Sequence, residues 1–229
     1  MTLTVHSRFR GPATSGNGGY VAGRLAAHLG AGPVTVTLRS PPPLDVPLEV
    51  IPDGDSMSLL HGDTLVATAT EGDASLLDVV TPVSADEARA ASAHYPGLST
   101  HPFPECFVCG PQRRPGDGMR LFPGRLGDGR TACVWDVTAE TGGESVFVWA
   151  ALDCPSGWSA PIEGRPMVLG RLTAQVDDAP DAGESCVVMG SYLQTEGRKT
   201  WTRSTVHGQD GRVLGRAHAT WIALPDQPS

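Results

Sequence analysis

Two stretches decide the fold: SMSLLHGDTLVATATE, Ser56 to Glu71, and TRSTVHGQDGRVLGRAHATW, Thr202 to Trp221. Each sets a His-Gly turn between two runs that read as antiparallel strands. Outward from the first stretch, Val34, Val36 and Leu38 alternate with Thr35, Thr37 and Arg39 and stop at Pro41, Pro42 and Pro43, which predicts another strand. A further strand fits residues 47–51, and the hairpin itself covers 56–70 with its turn at His61, Gly62 and Asp63. Before them, Val21, Ala22, Leu25, Ala26 and Leu29 recur at helical spacing, predicting a helix over 16–29 that ends at Gly30 and Gly32. Outward from the second stretch the same order returns: an apolar segment over 146–158, then a strand near 167–176. The chain reads as an internal repeat, each copy one helix followed by an antiparallel sheet.

Between the copies, Ser84 with Glu87 three residues on forms a capping box for a short, polar, Ala-rich helix through His94, expected as a linker rather than core. Residues 96–104, bounded by prolines, follow as a stiff connection. The expected division is 1–83 for the first repeat, 84–104 for the linker and 105–229 for the second.

Composition narrows the function. The 229 residues are 40% hydrophobic and 18% charged, enough apolar side chains for a sizeable core. A net charge of -8 argues against sequence-independent nucleic-acid binding, which needs clustered cations. The longest apolar runs, such as residues 146–152, fall far short of the ~20 residues that span a bilayer. The N-terminus has no apolar signal region, so no membrane partner and a cytoplasmic location are expected. Five cysteines, unclustered apart from Cys106 and Cys109, do not resemble a disulfide framework. Frequent Gly and Pro favour short elements broken by turns.

Three constellations carry chemistry. In SGNGGYVAG, Asn17, Gly18 and Gly19 open the first helix, where unpaired N–H groups and the positive dipole end can hold a carbonyl or oxyanion. The same residues also suit a turn with an Asn cap. In WAALDCPSGW, Asp153 stands among Trp149, Ala150, Leu152 and Trp158; burial there would raise its pKa toward the general-base range, while a helix-end cap before Pro155 is the alternative. In CFVCG, Cys106 and Cys109 with nearby His101 could hold zinc or cycle as a dithiol. Structural zinc needs four ligands, however, and Cys133, Cys154 and Cys186 are each single and distant in sequence. The expectation is free thiols, no metal and no cofactor. No G-x-S-x-G, P-loop, H-E-x-x-H or dinucleotide fingerprint occurs.

From Cys106 to Asp153, CFVCG, GDGMRLFPG and AALDC follow in the order and approximate spacing that resemble hotdog-fold thioesterases of the phenylacetyl-CoA thioesterase type. In that family a C-F-x-C-G opening leads to a G-L-R-L-x-F-like strand and an H-G-G helix. Through the repeat, NGGYVAGRLAAHL stands where the family has H-G-G and its helix. The resemblance implies an α+β double hotdog, two repeats each with a long helix wrapped by an antiparallel sheet, the sheets joined edge to edge. It also implies helix-terminal Gly amides from one repeat facing an Asp on the helix of the other.

Here the first repeat keeps Gly18 and Gly19 but has Ala26 about where the Asp belongs. The second keeps Asp153 but has Glu144, Ser145 and Val146 where H-G-G belongs. The two losses are complementary and imply one composite site per chain. Asn17 replaces the family His and cannot titrate.

The function expected on this resemblance is hydrolysis of an acyl-CoA or acyl-carrier-protein thioester. Asp153 would attack or activate water across a gap of about 6 to 8 Å from the Asn17–Gly19 amides. Trp149 and Trp158 would line the acyl site. Arg113 and Arg114, with Arg120 and Arg125, form the densest basic cluster and would meet the carrier's phosphates. Pairing of two such chains into a homodimer is compatible with the family. Two other readings stay open: a non-catalytic acyl-binding hotdog protein, and a hotdog hydratase or dehydratase. The latter needs a His paired with an acid, and His6, His28, His61, His101, His207 and His218 fall in no recognisable hydratase motif.

Overall fold

The computed structural model describes residues 1–225. Its strands are β1 (Thr2–Thr4), β2 (Val34–Leu38), β3 (Pro47–Asp53), β4 (Ser56–His61), β5 (Thr64–Glu71), β6 (Gly124–Arg125), β7 (Arg130–Asp136), β8 (Met167–Val176), β9 (Ser185–Glu196), β10 (Lys199–His207) and β11 (Val213–Ala223). Three α-helices accompany them: α1 (Gly18–Ala26), α2 (Ala85–Ser92) and α3 (Ser145–Gly157). All the strands join one sheet in the order β1-β3-β4-β5-β2-β8-β11-β10-β9-β7-β6. The repeat is visible in that order: α1 leads into β2, β3, β4 and β5 as α3 leads into β8, β9, β10 and β11.

The repeats fuse at β2 and β8, which pair antiparallel with Val34 opposite Ala174 and Val36 opposite Leu172. Across this seam the hydroxyls of Thr35 and Thr173 lie 2.8 Å apart. Because the side chains alternate, Val34, Val36, Leu172 and Ala174 turn to one buried face, and α1 and α3 pack against the sheet and against each other. The core is continuous through both repeats.

The helices are shorter than the resemblance implies: α1 has 9 residues and α3 has 13. The predicted start at Gly16 fails because the Gly16 N–H is given to Pro42 O and the Asn17 N–H to Phe9 O, which tie these residues to neighbouring loops. At the other end, the His28 and Leu29 N–H groups bond three residues back, to Leu25 O and Ala26 O, a tightened turn rather than helix. In α3 every residue but Ser145 is buried, so it has no polar face. Pro155 lies inside it and carries no N–H, yet its own carbonyl accepts from the Thr131 hydroxyl at 2.7 Å, and Leu152 O accepts from the Ser204 hydroxyl at 2.6 Å.

The expected capping box starts α2: the Ser84 side chain accepts from the Glu87 N–H, and the Glu87 carboxylate accepts from the Ser84 N–H. The expectation of a helix outside the core is corrected. Ala88 and Ala91 are buried in a small second cluster with Ala132, Val187 and Met189, so α2 covers the outer end of the second repeat's sheet.

Candidate active site between the repeats

The pairing of α1 with α3 creates the site. Asn17 caps α1, its Oδ1 accepting from the Tyr20 N–H at 2.9 Å. The same amide turns its Nδ2 toward α3 and donates to Asp153 Oδ2 at 2.8 Å. Gly19 N–H donates to that oxygen as well, at 2.9 Å. Such close approach requires glycine: a Cβ on Gly19 would stand 2.5 Å from Asp153 Cβ and 2.6 Å from Trp149 O. One turn along, a Cβ on Gly23 would stand 2.7 Å from Trp149 Cβ. The two helices therefore run antiparallel in contact along Gly19 and Gly23.

Asp153 is 2% exposed, and its other oxygen, Oδ1, has no hydrogen-bond partner. Burial pushes its pKa up to about 7; the Gly19 N–H opposes the rise, the nearby Cys106 adds to it and Asn17 opposes it. The carboxylate lies in the wall of a cavity of about 380 Å³ between the repeats, which also meets Gly18, Trp158, Leu169, Trp221 and the rim residue Arg39. The Gly18 N–H has no acceptor among the described residues, so it is the helix-end donor left free beside the carboxylate.

The predicted site residues divide accordingly. Asn17, Gly18, Gly19 and Asp153 come together, from different repeats. The expected gap of 6 to 8 Å is corrected: Asp153 binds the Gly19 amide directly, leaving no room for a substrate atom between them. Trp158 lines the cavity, with its ring edge-on to Tyr95 and to His101 at 4.6 and 5.0 Å between centroids. Trp149 does not line it; it is packed against the Gly23 backbone.

The arginine cluster is also outside the cavity lining. Arg113, with a side chain only 10% exposed, spends its donors on Glu105 O, Arg8 O and Asp117, and Arg120 donates to Arg113 O. Arg125 pairs with Glu163, and Arg114 is an exposed loop residue. Arg113 and Arg120 thus brace the loop after Cys109. Arg39, which sequence reasoning placed only at the end of a strand, is the arginine that lines the cavity.

The larger omission concerns sulfur. Cys154 is far from the C-x-x-C pair in sequence, yet its Sγ lies 3.7 Å from Cys106 Sγ, and the sulfurs of Cys106, Cys109 and Cys154 all fall within 4.8 Å of one another. Asn17 Nδ2 points at two of them, 3.9 Å from Cys106 and 3.8 Å from Cys154, and His101 Nε2 is 3.4 Å from Cys109. Hydrogen bonds from the Cys109 thiol and then the Cys154 thiol hold Cys106 well below the ordinary thiol range. Burial pushes Cys109 up, and Cys154 is pushed up chiefly by its contact with Cys106. The periodicity of α3 carries no signal for this cluster, because Cys154 sits in a helix that is apolar on every side.

Fold and site together define a tandem pair of helix-and-sheet units with a carboxylate held at a helix N-terminus across their junction. That arrangement is the hotdog fold in two copies. Among solved structures, a hotdog-fold protein of unknown function from Alicyclobacillus acidocaldarius superposes with a TM-score of 0.64 at 13% identity, covering 100% of this chain and 93% of the other. A protein of Novosphingobium aromaticivorans DSM 12444 provisionally named a thioesterase gives 0.63 at 14% identity, with 96% and 94% covered. The tesB protein of Mycobacterium avium subs paratuberculosis gives 0.60 at 11% identity, with 98% and 92% covered. No family model matches the sequence, and no curated protein matches it. No helix among the described residues is long and apolar enough to cross a membrane.

Proposed function

We propose that the protein is a thioesterase that hydrolyses an acyl-CoA or acyl-carrier-protein thioester at one composite site between its repeats. The observation that carries this reading is Asp153: a buried carboxylate among the residues lining an apolar cavity, with one oxygen fixed by Gly19 and Asn17 and the other without a hydrogen-bond partner. Burying such a group without full pairing is costly, and a free oxygen beside a helix end suits attack on a carbonyl.

In this reading the acyl chain lies against Trp158, Leu169 and Trp221, and the thioester oxygen accepts from the Gly18 N–H. Asp153 Oδ1 either attacks the carbonyl carbon or takes the proton of a water that does so. If Asp153 attacks, the carbon–sulfur bond breaks to leave a mixed anhydride on Asp153, and water then cleaves the anhydride to give the acid and restore the carboxylate, its proton going to the thiolate. If Asp153 acts as base, water's hydroxyl joins the carbonyl carbon, the carbon–sulfur bond breaks and Asp153 passes the proton to the leaving thiolate. In this proposal Gly19 orients the carboxylate rather than binding the oxyanion, and Arg39, an exposed residue of the cavity lining, would meet a carrier phosphate. The fold relatives named as thioesterases lend this chemistry support.

The test is a panel of acyl-CoA and acyl-carrier-protein thioesters assayed for free-thiol release, with Asp153→Asn as the key variant. The expected loss in kcat is about 10²–10⁴-fold with the fold retained. Wild-type turnover in Asp153→Asn would overturn the mechanism. Tight acyl-CoA binding without thiol release by the wild type would instead establish an acyl-binding protein, and loss of C=C absorbance without thiol release a hydratase.

A further inference from the structure

We propose that Cys106, Cys109 and Cys154 form a thiolate site for one Zn²⁺ ion per chain, with the fourth coordination position open to the cavity beside Asp153. The proposal reverses the expectation of inert thiols drawn from sequence, and it stands independently of the hydrolytic reading. Zinc held by thiolates takes Zn–S bonds of about 2.3 Å in tetrahedral geometry, which sets neighbouring sulfurs about 3.8 Å apart. Cys106 and Cys154 are 3.7 Å apart, and the third sulfur lies within 4.8 Å of both, so a contraction of about 1 Å closes the triangle on an ion.

The surroundings suit thiolates. Asn17 Nδ2 faces Cys106 and Cys154, while His101 faces Cys109. The His101 tautomer is set by its other nitrogen: Nδ1 accepts from the Phe103 N–H at 2.9 Å, so Nε2 carries the hydrogen and donates it to sulfur. His101 is thus a supporting donor rather than the fourth ligand. Supporting donors of this kind fix ligand geometry and temper thiolate charge.

Packing alone does not explain the cluster. Cys133 and Cys186 are also buried, and neither belongs to this group of sulfurs. The three that meet come from a loop and from α3, at a cavity through which an ion can enter, as all three line its wall. Three protein ligands and one open position is the arrangement of zinc sites that bind water or substrate, whereas structural sites are closed by four. On binding, each thiol that is still protonated releases its proton to solvent, and no electrons are transferred.

The experiment uses the full chain, purified under reducing conditions, stripped with a chelator and titrated with Zn²⁺ and then Co²⁺. One equivalent of Zn²⁺ per chain is expected by elemental analysis. Co²⁺ should give a thiolate charge-transfer band in the near ultraviolet and the intense d–d bands of a tetrahedral ion. Cys106→Ser, Cys109→Ser and Cys154→Ser should each abolish stoichiometric binding, and Cys133→Ala should not change it. His101→Ala, which leaves every ligand in place, should weaken affinity by about 10–100-fold, so the proposal remains testable should a ligand variant fail to fold. Asp153→Asn should still bind one equivalent, which separates failure of the metal site from failure of the proposed hydrolysis. Absence of binding in wild type with all five thiols titratable, a Cys106–Cys154 disulfide in the reduced preparation, or a Co²⁺ spectrum without charge transfer would overturn it.

Discussion

Gly23→Ala tests the close crossing on which the site depends. The added Cβ would lie 2.7 Å from Trp149 Cβ and 2.9 Å from Trp149 Cγ. Ordinary carbon contacts are about 3.5–4.0 Å, so the helices must part by about 1 Å. The first obstruction is a Cβ, which cannot rotate away. Overpacking costs about 1–3 kcal/mol, and a backbone-bound obstruction on both sides puts this case at about 2–3 kcal/mol; the better helix propensity of Ala returns about 1 kcal/mol, leaving a net loss of about 1–2 kcal/mol. In a chain of this size that is a fall in Tm of about 2–8 °C.

Gly30→Ala is the control, since a Cβ there meets nothing within 4 Å, and its effect should stay within about 0.5 kcal/mol. Equilibrium urea unfolding, followed by tryptophan fluorescence with midpoints and slopes compared, measures both. Gly19→Ala should cost at least as much as Gly23→Ala and should also impair turnover, because parting by about 1 Å takes its N–H beyond hydrogen-bond reach of Asp153. A Gly23→Ala protein as stable as Gly30→Ala would refute the argument that these glycines exist to let the helices touch.

Arg39→Glu should raise KM for a CoA thioester with kcat nearly unchanged, because it removes uniform binding. Arg113→Glu should leave KM alone and lower stability instead, since its guanidinium holds two backbone carbonyls; the reverse pattern in steady-state kinetics would return the phosphate site to the Arg113 loop. His207 is buried with Nε2 2.9 Å from Val80 O, and burial lowers its pKa below 6.5. The unfolded chain therefore takes up that proton first, and this group destabilises the fold as pH drops from about 7 to about 5, whereas Asp153, raised to about 7, acts in the opposite sense over the same range. The quantity to follow is therefore the difference between wild type and His207→Gln: the wild-type urea midpoint should fall relative to the variant's as pH drops, and a pH-independent difference would contradict the assignment. A non-hydrolysable acyl-CoA analogue should bind by calorimetry with one equivalent per chain; two equivalents would end the composite-site reading.

The architecture was legible because its carriers are periodic. The alternation in Val34 to Leu38 states which face is buried, and the His-Gly hairpin at Ser56 to Glu71 with its counterpart at Thr202 to Trp221 marks the repeated order. That the two sheets join edge to edge is what the resemblance implies; that β2 and β8 form the seam is a finding of the structure. Helix lengths were less legible, since nothing in the residues at Gly16 and Leu29 announces that Pro42 and Phe9 will claim the N–H groups before α1. The site was half legible. Asp153, Asn17 and the glycines stand out by type, but the distance between them is set by how closely α1 approaches α3, and that depends on the pairing of Gly23 with Trp149. The sulfur cluster was illegible because its third member belongs to another element, and the arginines misled because a dense run of cations reads alike whether it faces a ligand or holds a loop.

The antiparallel crossing also explains why one site is expected rather than two. Gly19 meets Asp153 and Gly23 meets Trp149, so the register carries Ala26 toward the start of α3 near Val146. A second site would need a carboxylate at 26 and glycine amides at the head of α3. The chain has a methyl group at the first position, and at the second Glu144, whose side chain makes no cap bond. A carboxylate placed at Ala26 alone would be buried without a matching donor such as Asn17, at a cost of several kcal/mol. Each half of the second site is therefore unfavourable without the other. Fusion of the repeats into one chain frees their sequences to differ, and it allows one junction to keep donors and carboxylate while the other keeps apolar packing.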